Sequence, residues 1–384
     1  MFKFSERVKD LKQSGIRSAS VRCAEIGGVN LGQGICDLPV PDSIIVETGK
    51  KMQEGKNIYS PCAGIMPLRE KLAEKITEYN HIPTTAEEVM VGHGSTGVFT
   101  CATMSLLNPG DEVILFEPFY GYHKNVLDII GVKVKAVAIN LNDLSIDFEQ
   151  LKSVCTERTK AIIICTPNNP TGKVFSKEEL LQIGHIAKEK GLFVITDEIY
   201  EYITYPGYEH VSFASLEDFK DFTISMSGFS KTYNMTGWRL GYARSTPALI
   251  EKMSYAQDYL YVCPATPLQY GVLAALELPN NYYSDMKDLY LKKRDFMVDR
   301  LSCLGFDLCR PQGAYYIMAD FKALGFTDDQ AAADALLEKA KVATVTGRSF
   351  YLNPEDGKYS LRFCYALGQD KLEQAMNQLD AAFG

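Results

Sequence analysis

Six short apolar runs, rich in Val and Ile and each the length of a strand, lie between residues 88 and 226: Glu88–Val91, Glu112–Phe116, Lys133–Ala138, Ala161–Cys165, Leu192–Thr196 and Thr223–Met226. Stretches with apolar residues every third or fourth position accompany them: Leu68–Tyr79 before the first run, Gly97–Leu107 after it, and Lys177–Lys190 between the fourth and fifth. This alternation predicts an α/β fold built on a mostly parallel sheet. A long helix is expected around Tyr283–Leu304. Beyond Gln312 the pattern changes to a strand (Ala314–Met318), a helix (Asp328–Ala340), a strand (Tyr359–Tyr365) and a closing helix, the texture of a smaller α+β unit. There is no repeat, low-complexity tract or flexible linker, so the boundary between the two units is expected inside a long helix.

A chain of 384 residues suggests two domains, and 46% hydrophobic with 23% charged residues is ordinary for a globular enzyme. A formal net charge of −8 and the absence of a long basic tract argue against nucleic acid as the main partner. No apolar run approaches the roughly 18 residues that a membrane span requires. The opening MFKFSERVKDLKQSG has charged and apolar residues at helical spacing and no secretory core, so a cytoplasmic address is expected. The ten cysteines occur singly and the five histidines form no ligand-spaced cluster, so no metal site is expected.

The chemistry centres on Lys231, in the run SMSGFSKTYNMTGWRLGY. An amine nucleophile next to Ser230, with Arg239 eight residues on, can condense with an aldehyde as a Schiff base while the guanidinium clamps a phosphate. Those two capacities together describe pyridoxal 5'-phosphate. Asp197 ends an apolar run in FVITDEIYEY, where its carboxylate either faces the crevice beside a pyridine nitrogen or caps a following helical turn. Tyr200 and Asn169, the latter in CTPNNPTG, could each reach a phenolic oxygen; each could equally be structural. Tyr120, in EPFYGYH, could stack on an aromatic ring or simply pack beneath its loop. Arg362, in KYSLRFCYA, could pair with a structural carboxylate or grip that of a substrate.

The loop VGHGSTGVF also matches G-x-G-x-x-G through Gly92, Gly94 and Gly97, with Glu117 twenty residues beyond the last glycine. That spacing admits a dinucleotide-binding dehydrogenase, because any phosphate is attracted to backbone N–H groups at a helix start. The dehydrogenase reading leaves Lys231, Arg239, Asn169 and Asp197 without a task.

Taken together, LGQG, YSPCAGIMPLRE, NPGDEV, NNPTG, TDEIYE, SKTYNMTGWRLGY and LRFCYA occur in an order that resembles the class I/II aminotransferases of PLP fold type I. The likeness is strongest to the branch of bacterial aspartate, aromatic and kynurenine- or methionine-type enzymes, and it runs from about Leu31 to the C-terminus. It implies a large PLP-binding domain over residues 48–288 with a seven-stranded sheet, and a small domain made of residues 1–47 with 289–384. It implies transfer of an amino group from an L-amino acid to a 2-oxo acid in two half-reactions, with Lys231 as covalent anchor and proton carrier. Asp197 would pair with the pyridinium nitrogen, Asn169 and Tyr200 with the phenolic oxygen, and Tyr120 with the ring face. Gly94, Ser95, Thr96, Ser230 and Arg239 would hold the phosphate, and Arg362, with the backbone near Gly34, the substrate α-carboxylate. Tyr59 would reach the phosphate of a neighbouring subunit, implying a homodimer with shared sites. Four positions depart from the pattern. Cys36 and Leu38 replace a Pro and a Phe near the substrate mouth, Gly228 replaces a phosphate-binding Ser, and Ser95 stands where some aspartate enzymes carry a lysine for the side-chain carboxylate. The alternatives on the same scaffold are C–S lysis or another β-elimination. A non-catalytic regulator would need a fused DNA-binding domain, for which about 30 residues before LGQG leave no room.

Overall fold

The computed structural model describes residues 15–384 together with Ser5, Arg7, Val8 and Gln13; most of the helix-spaced opening segment lies outside the described residues. The helices are α1 (Gly15–Glu25), α2 (Asp42–Gln53), α3 (Met66–Tyr79), α4 (Gly94–Leu106), α5 (Gly121–Ile129), α6 (Phe148–Val154), α7 (Lys177–Lys190), α8 (Pro247–Tyr261), α9 (Thr266–Leu276), α10 (Asn280–Cys303), α11 (Asp329–Ala340) and α12 (Gln369–Phe383). The strands are β1 (Val29–Asn30), β2 (Val89–His93), β3 (Glu112–Glu117), β4 (Lys133–Ala138), β5 (Thr159–Cys165), β6 (Phe193–Asp197), β7 (Thr223–Gly228), β8 (Leu240–Arg244), β9 (Asp307–Leu308), β10 (Tyr316–Asp320), β11 (Val342–Ala343), β12 (Val345–Thr346) and β13 (Ser360–Cys364).

Seven strands form one sheet in the order β2-β8-β7-β6-β5-β3-β4, in which β8 alone runs antiparallel to its neighbours. The expected α/β architecture with a mostly parallel sheet is thus present. Strand β3 shows why the apolar runs are unbroken: Val113 and Leu115 join the core on one face, Ile114 and Phe116 the core on the other. A strand covered by helices on both sides has no polar face to alternate with. The four-stranded antiparallel sheet β12-β13-β10-β9 is the heart of the C-terminal unit. Its core takes Tyr290, Met297 and Leu301 from α10, Ile317 from β10, Leu361 and Phe363 from β13, and Met376 from α12. Tyr283, near the start of α10, packs against both this core and that of the larger unit.

Local chemistry accounts for the differences from the sequence reading. Strand β10 starts two residues later than expected because Ala314 has a φ of 55°, outside the extended region. Strand β2 starts one residue late because Ala86–Glu88 close a 3₁₀ turn with a reciprocal Thr85/Glu88 cap. Strand β8, the seventh, was hidden in a segment whose residues stood out for their chemistry. Helix α9, TPLQYGVLAAL, is apolar on nearly every side and so carries no helical stripe.

Helix α9 lies against α2, and the contact depends on Gly271. A Cβ there would sit 1.8 Å from Thr48 Oγ1. Thr48 is buried, its hydroxyl donates to Ile44 O at 2.8 Å, and β-branching leaves it little freedom to move away. Gly271→Ala is therefore expected to cost about 1–3 kcal/mol despite the better helix propensity of alanine. Adding Thr48→Ala should recover most of that loss in a denaturant titration; equal stability of the two variants would place the clash elsewhere.

Candidate active site

Most of the residues singled out by sequence lie along one edge of the large sheet. After β3 the chain goes to β4 on one side, then returns to place β5 on the other, and such a reversal opens a crevice at the carboxyl ends of the strands. Tyr120 follows β3, Asn169 follows β5, Asp197 ends β6, Lys231 follows β7, and Gly94–Thr96 follow β2. Arg239 immediately precedes β8, whose reversed direction brings its start to the same edge. A cleft of about 380 Å³ is lined here by Gly34, Ser95, Thr96, Tyr120, Asn169 and Asp197, and by Tyr200, Ser230, Lys231, Arg239 and Arg362.

One end of the cleft is built for an anion. Helix α4 begins at Gly94 with no side-chain cap, leaving the first-turn amides available to a ligand. Gly94 has a φ of +65°, and a Cβ on it would lie 2.6 Å from Arg239 Nη2. Beneath this turn three glycines pair across three strands, Gly92 with Gly241 and Gly241 with Gly228. A Cβ on Gly241 would lie 2.6 Å from Ser95 N and 2.7 Å from Gly94 C, so only glycine lets α4 start so close to the sheet. Gly228 belongs to the same row: its Cβ would meet Ile199 Cδ1 at 2.9 Å and Gly241 Cα at 3.1 Å. A serine there would require these neighbours to move.

The other end is built for a flat polar ring. Asp197 is buried; its Oδ1 accepts from Ile199 N at 3.3 Å and its Oδ2 lies 3.1 Å from His123 Nε2. Residues 199–202 form a turn rather than a helix, so Asp197 is not a helix cap. In CTPNNPTG the two asparagines divide the work. Asn168 Oδ1 accepts from Thr171 N and Oγ1 and makes the turn, whereas Asn169 Oδ1 accepts from Arg362 Nη1 at 2.8 Å. The Tyr120 ring stacks on Tyr122 with centroids 5.0 Å apart and meets His123 edge-on at 5.5 Å.

Lys231 joins the two ends. Its Nζ donates to Gly34 O at 2.9 Å, and its pKa falls from the usual 10.5 to about 8. Burial is the main cause, because it penalises the charged form, and the positive charges of Arg362 and Arg239 add to it. Arg362 on β13 is 1% exposed, with Nη2 donating to Gly32 O at 2.5 Å and the guanidinium 4.4 Å from the Tyr316 ring centroid and 5.0 Å from that of Phe350. Its Nε is buried with no partner. An amine with lowered pKa, a carboxylate across from it, an anion cradle and a guanidinium with a spare N–H fit pyridoxal phosphate together with a substrate carboxylate.

Several site residues were missed by sequence. His123 lies one turn beyond Tyr120, but its partner Asp197 is on another strand. Tyr316 contributes a hydroxyl 3.0 Å from that of Tyr200. Arg17 and Ile16 reach the cleft from α1, and Gln33, Ile35 and Tyr122 also line it. Tyr59 is not among the cleft residues of its own chain and is 81% exposed. Of the GICDL segment, Ile35 rather than Cys36 or Leu38 lines the cleft; Cys36 is turned into the core, with Sγ 2.8 Å from Asn234 Oδ1 and 3.2 Å from Tyr290 Oη. Glu117, the acid a dinucleotide site would need, accepts from Leu352 N at 3.1 Å outside the cleft lining. Glu198, Glu201 and His210 have the composition of a metal site, but Lys75 already places an ammonium 2.6 Å from Glu201 Oε2.

The family model for aminotransferases of class I and II matches residues 26–379. The chain is 35% identical to a probable aspartate/prephenate aminotransferase of Aquifex aeolicus, over 98% of each sequence. It is 33% identical to aromatic-amino-acid aminotransferase 2 of Thermococcus litoralis, over 98% of this chain and 97% of that one. Among solved structures, an aspartate aminotransferase double mutant of Thermus thermophilus superposes with a TM-score of 0.92 at 31% identity, covering 100% of both chains. N-Succinyldiaminopimelate aminotransferase of Mycobacterium tuberculosis superposes at 0.94 with 30% identity, covering 99% of this chain and 100% of that one.

The lowered pKa of Lys231 has a measurable consequence. Only the neutral amine attacks an aldehyde, so the rate at which cofactor-free protein takes up pyridoxal phosphate should climb with pH and level off above about 8. An unperturbed lysine would level off near 10.5. A rate still rising steeply at pH 9.5, or an unchanged profile in Lys231→Ala, would contradict the assignment.

Proposed function

The chain belongs to the class I and II aminotransferases and is a PLP-dependent transaminase, and from that premise we propose that its amino donor carries an acidic side chain and that its active sites are shared in a homodimer. The observation behind the first part is a charge count of the cleft. Among the described residues, three guanidiniums, of Arg17, Arg239 and Arg362, line it together with one carboxylate, Asp197. Arg239 faces the anion cradle and is assigned to the cofactor phosphate, and Arg362, buried beside Asn169, to the α-carboxylate. Arg17, on α1, also lines the cleft, and we assign it to a second carboxylate, the task a lysine at the Ser95 position serves in some aspartate enzymes. Aspartate in the names of relatives such as those of Aquifex aeolicus and Thermus thermophilus supports this reading.

The protein's own groups have separable tasks in it. Ser95, Thr96, Ser230, Arg239 and the Gly94 backbone hold the phosphate; Asp197, oriented by His123, holds a proton on the ring nitrogen; Asn169 and Tyr200 hold the phenolic oxygen; Tyr120 covers the ring. Pyridoxal phosphate, when bound, supplies the electron sink for the charge released at the substrate Cα. Lys231, whose amine is largely neutral above about pH 8, removes the proton from Cα. The Gly34 carbonyl that accepts from Lys231 also marks where the segment after β1 closes over the substrate.

The dimer rests on the exposed apolar side chains Ile58, Tyr59 and Tyr259, at 77%, 81% and 91% exposure, with Tyr59 completing the phosphate site of the partner protomer. We read the domains as 48–288 and 1–47 with 289–384. Ten free cysteines are consistent with a reducing, cytoplasmic setting, and among the described residues no helix is long and apolar enough to cross a membrane.

The test is a visible absorbance scan of the loaded enzyme with single L-amino acids. Aspartate or glutamate should convert the cofactor band, with an oxo acid produced in proportion to acceptor. Pyruvate and ammonia without acceptor would instead indicate β-elimination. Arg17→Ala should lower kcat/KM for the acidic donor about 10- to 100-fold, the value of one charge-assisted contact, and leave that for phenylalanine within about twofold. Equal losses for both donors would remove Arg17 from the specificity pocket.

A further inference from the structure

We propose that Tyr316 is a positioning residue that ties the carboxylate-binding Arg362 to the cofactor-facing Tyr200, so that one side chain sets both the plane of the guanidinium and the proton of the phenol. The inference rests on the transaminase reading of the cleft.

Three contacts of Tyr316, on β10, carry it. Its ring lies 4.4 Å from the Arg362 guanidinium, and Met318, two residues on, pairs with Arg362 across β10 and β13. Its hydroxyl is 3.0 Å from that of Tyr200, which is buried on the turn after β6. The same hydroxyl stands 1.9 Å from where a Cβ on Gly34 would be, so the glycine of LGQG is required by Tyr316 itself. Gly34 in turn presents its carbonyl to Lys231. One phenol therefore touches the carboxylate clamp, the tyrosine of the phenolic-oxygen site and the segment holding the reactive lysine.

Either hydroxyl of the pair can donate to the other. Once Tyr200 turns its proton to the cofactor's phenolic oxygen, Tyr316 becomes the donor to Tyr200. A hydroxyl that accepts a hydrogen bond is a better donor in its turn. This makes the phenolic oxygen easier to keep anionic and lowers the pH at which the bound chromophore loses its proton. The titratable or charged neighbours of the pair are Tyr120 after β3, Cys165 on β5, Tyr315 beside Tyr316, and Arg362 and Cys364 on β13. Burial holds Tyr200, Tyr316 and Tyr120 well above the ordinary phenol range, raises Cys165 and places Cys364 near 11, so these tyrosines and thiols stay neutral across the titration.

The experiment is a pH titration of the visible absorbance of the loaded enzyme. Tyr316→Phe removes the hydroxyl and keeps the ring. It should raise the chromophore midpoint by about 0.5–1 pH unit, the value of one hydrogen bond, and change the donor KM by less than about twofold. Tyr316→Leu removes the ring as well and should raise that KM about 3- to 30-fold, the range of a buried cation–π contact. In a Tyr200→Phe background the midpoint shift caused by Tyr316→Phe should disappear. A Tyr316→Phe midpoint that is unmoved or lowered overturns the proposal, as does a shift that persists without the Tyr200 hydroxyl. A wild-type protein with no amino-acid-sensitive band would overturn the transaminase reading itself, and this inference with it.

Discussion

A guanidinium buried to 1% exposure is the interaction on which the rest of the site depends. Removing Arg362 from water costs several kcal/mol, and charge-assisted hydrogen bonds return only about 1.5–3 kcal/mol each. The chain answers with Asn169 from the large sheet, the Gly32 carbonyl from the segment after β1, and two aromatic faces. These partners come from three separate parts of the sequence. Satisfying one charge therefore fixes how the N-terminal segment, the β5 turn and the C-terminal sheet meet, and leaves the Arg362 Nε without a partner.

The anion end uses the opposite strategy, the absence of side chains. A row of three glycines across β2, β8 and β7 lets a helix begin directly against the sheet, so that backbone amides rather than flexible cations would receive a phosphate there. Amides fixed by a helix and a sheet lose little entropy when they bind. Arg239, held in the left-handed region at a φ of 56°, adds a charge without crowding the turn.

The sheet, its polarity and most of its strands were legible because strands covered on both faces are written as unbroken apolar runs, as in Glu112–Phe116. Tyr120, Asn169 and Asp197 could be singled out because each lies within four residues of the end of such a run, where a change from apolar to chemically specific sequence marks the edge that faces the cleft. Strand β8 was not legible, since three of its five residues, Gly241, Ala243 and Arg244, are small or charged and it follows a segment read for its chemistry. His123, Arg17 and Tyr316 were not either, for a different reason. Their significance is relational: a histidine acquires a task from Asp197, and a tyrosine from Arg362 and Tyr200, through contacts that no local pattern encodes. Asn168 and Asn169 show the limit most closely, since adjacent identical residues find different partners, Thr171 within the turn and Arg362 on β13, that only backbone geometry separates.

The reversed strand β8 also bears on how the molecule comes into being. Val89 pairs with Arg244 and His93 with Leu240, so the two halves of the phosphate cradle, the start of α4 and Arg239, are brought together by some of the longest-range pairing in the large sheet. Contacts so distant in sequence carry a high loop-closure cost and form slowly. A chain still emerging during synthesis holds the first half of the cradle long before the second exists. A cofactor held in that cradle would therefore find its site only in a nearly finished molecule, and its binding would draw the folding equilibrium toward that completed state by mass action.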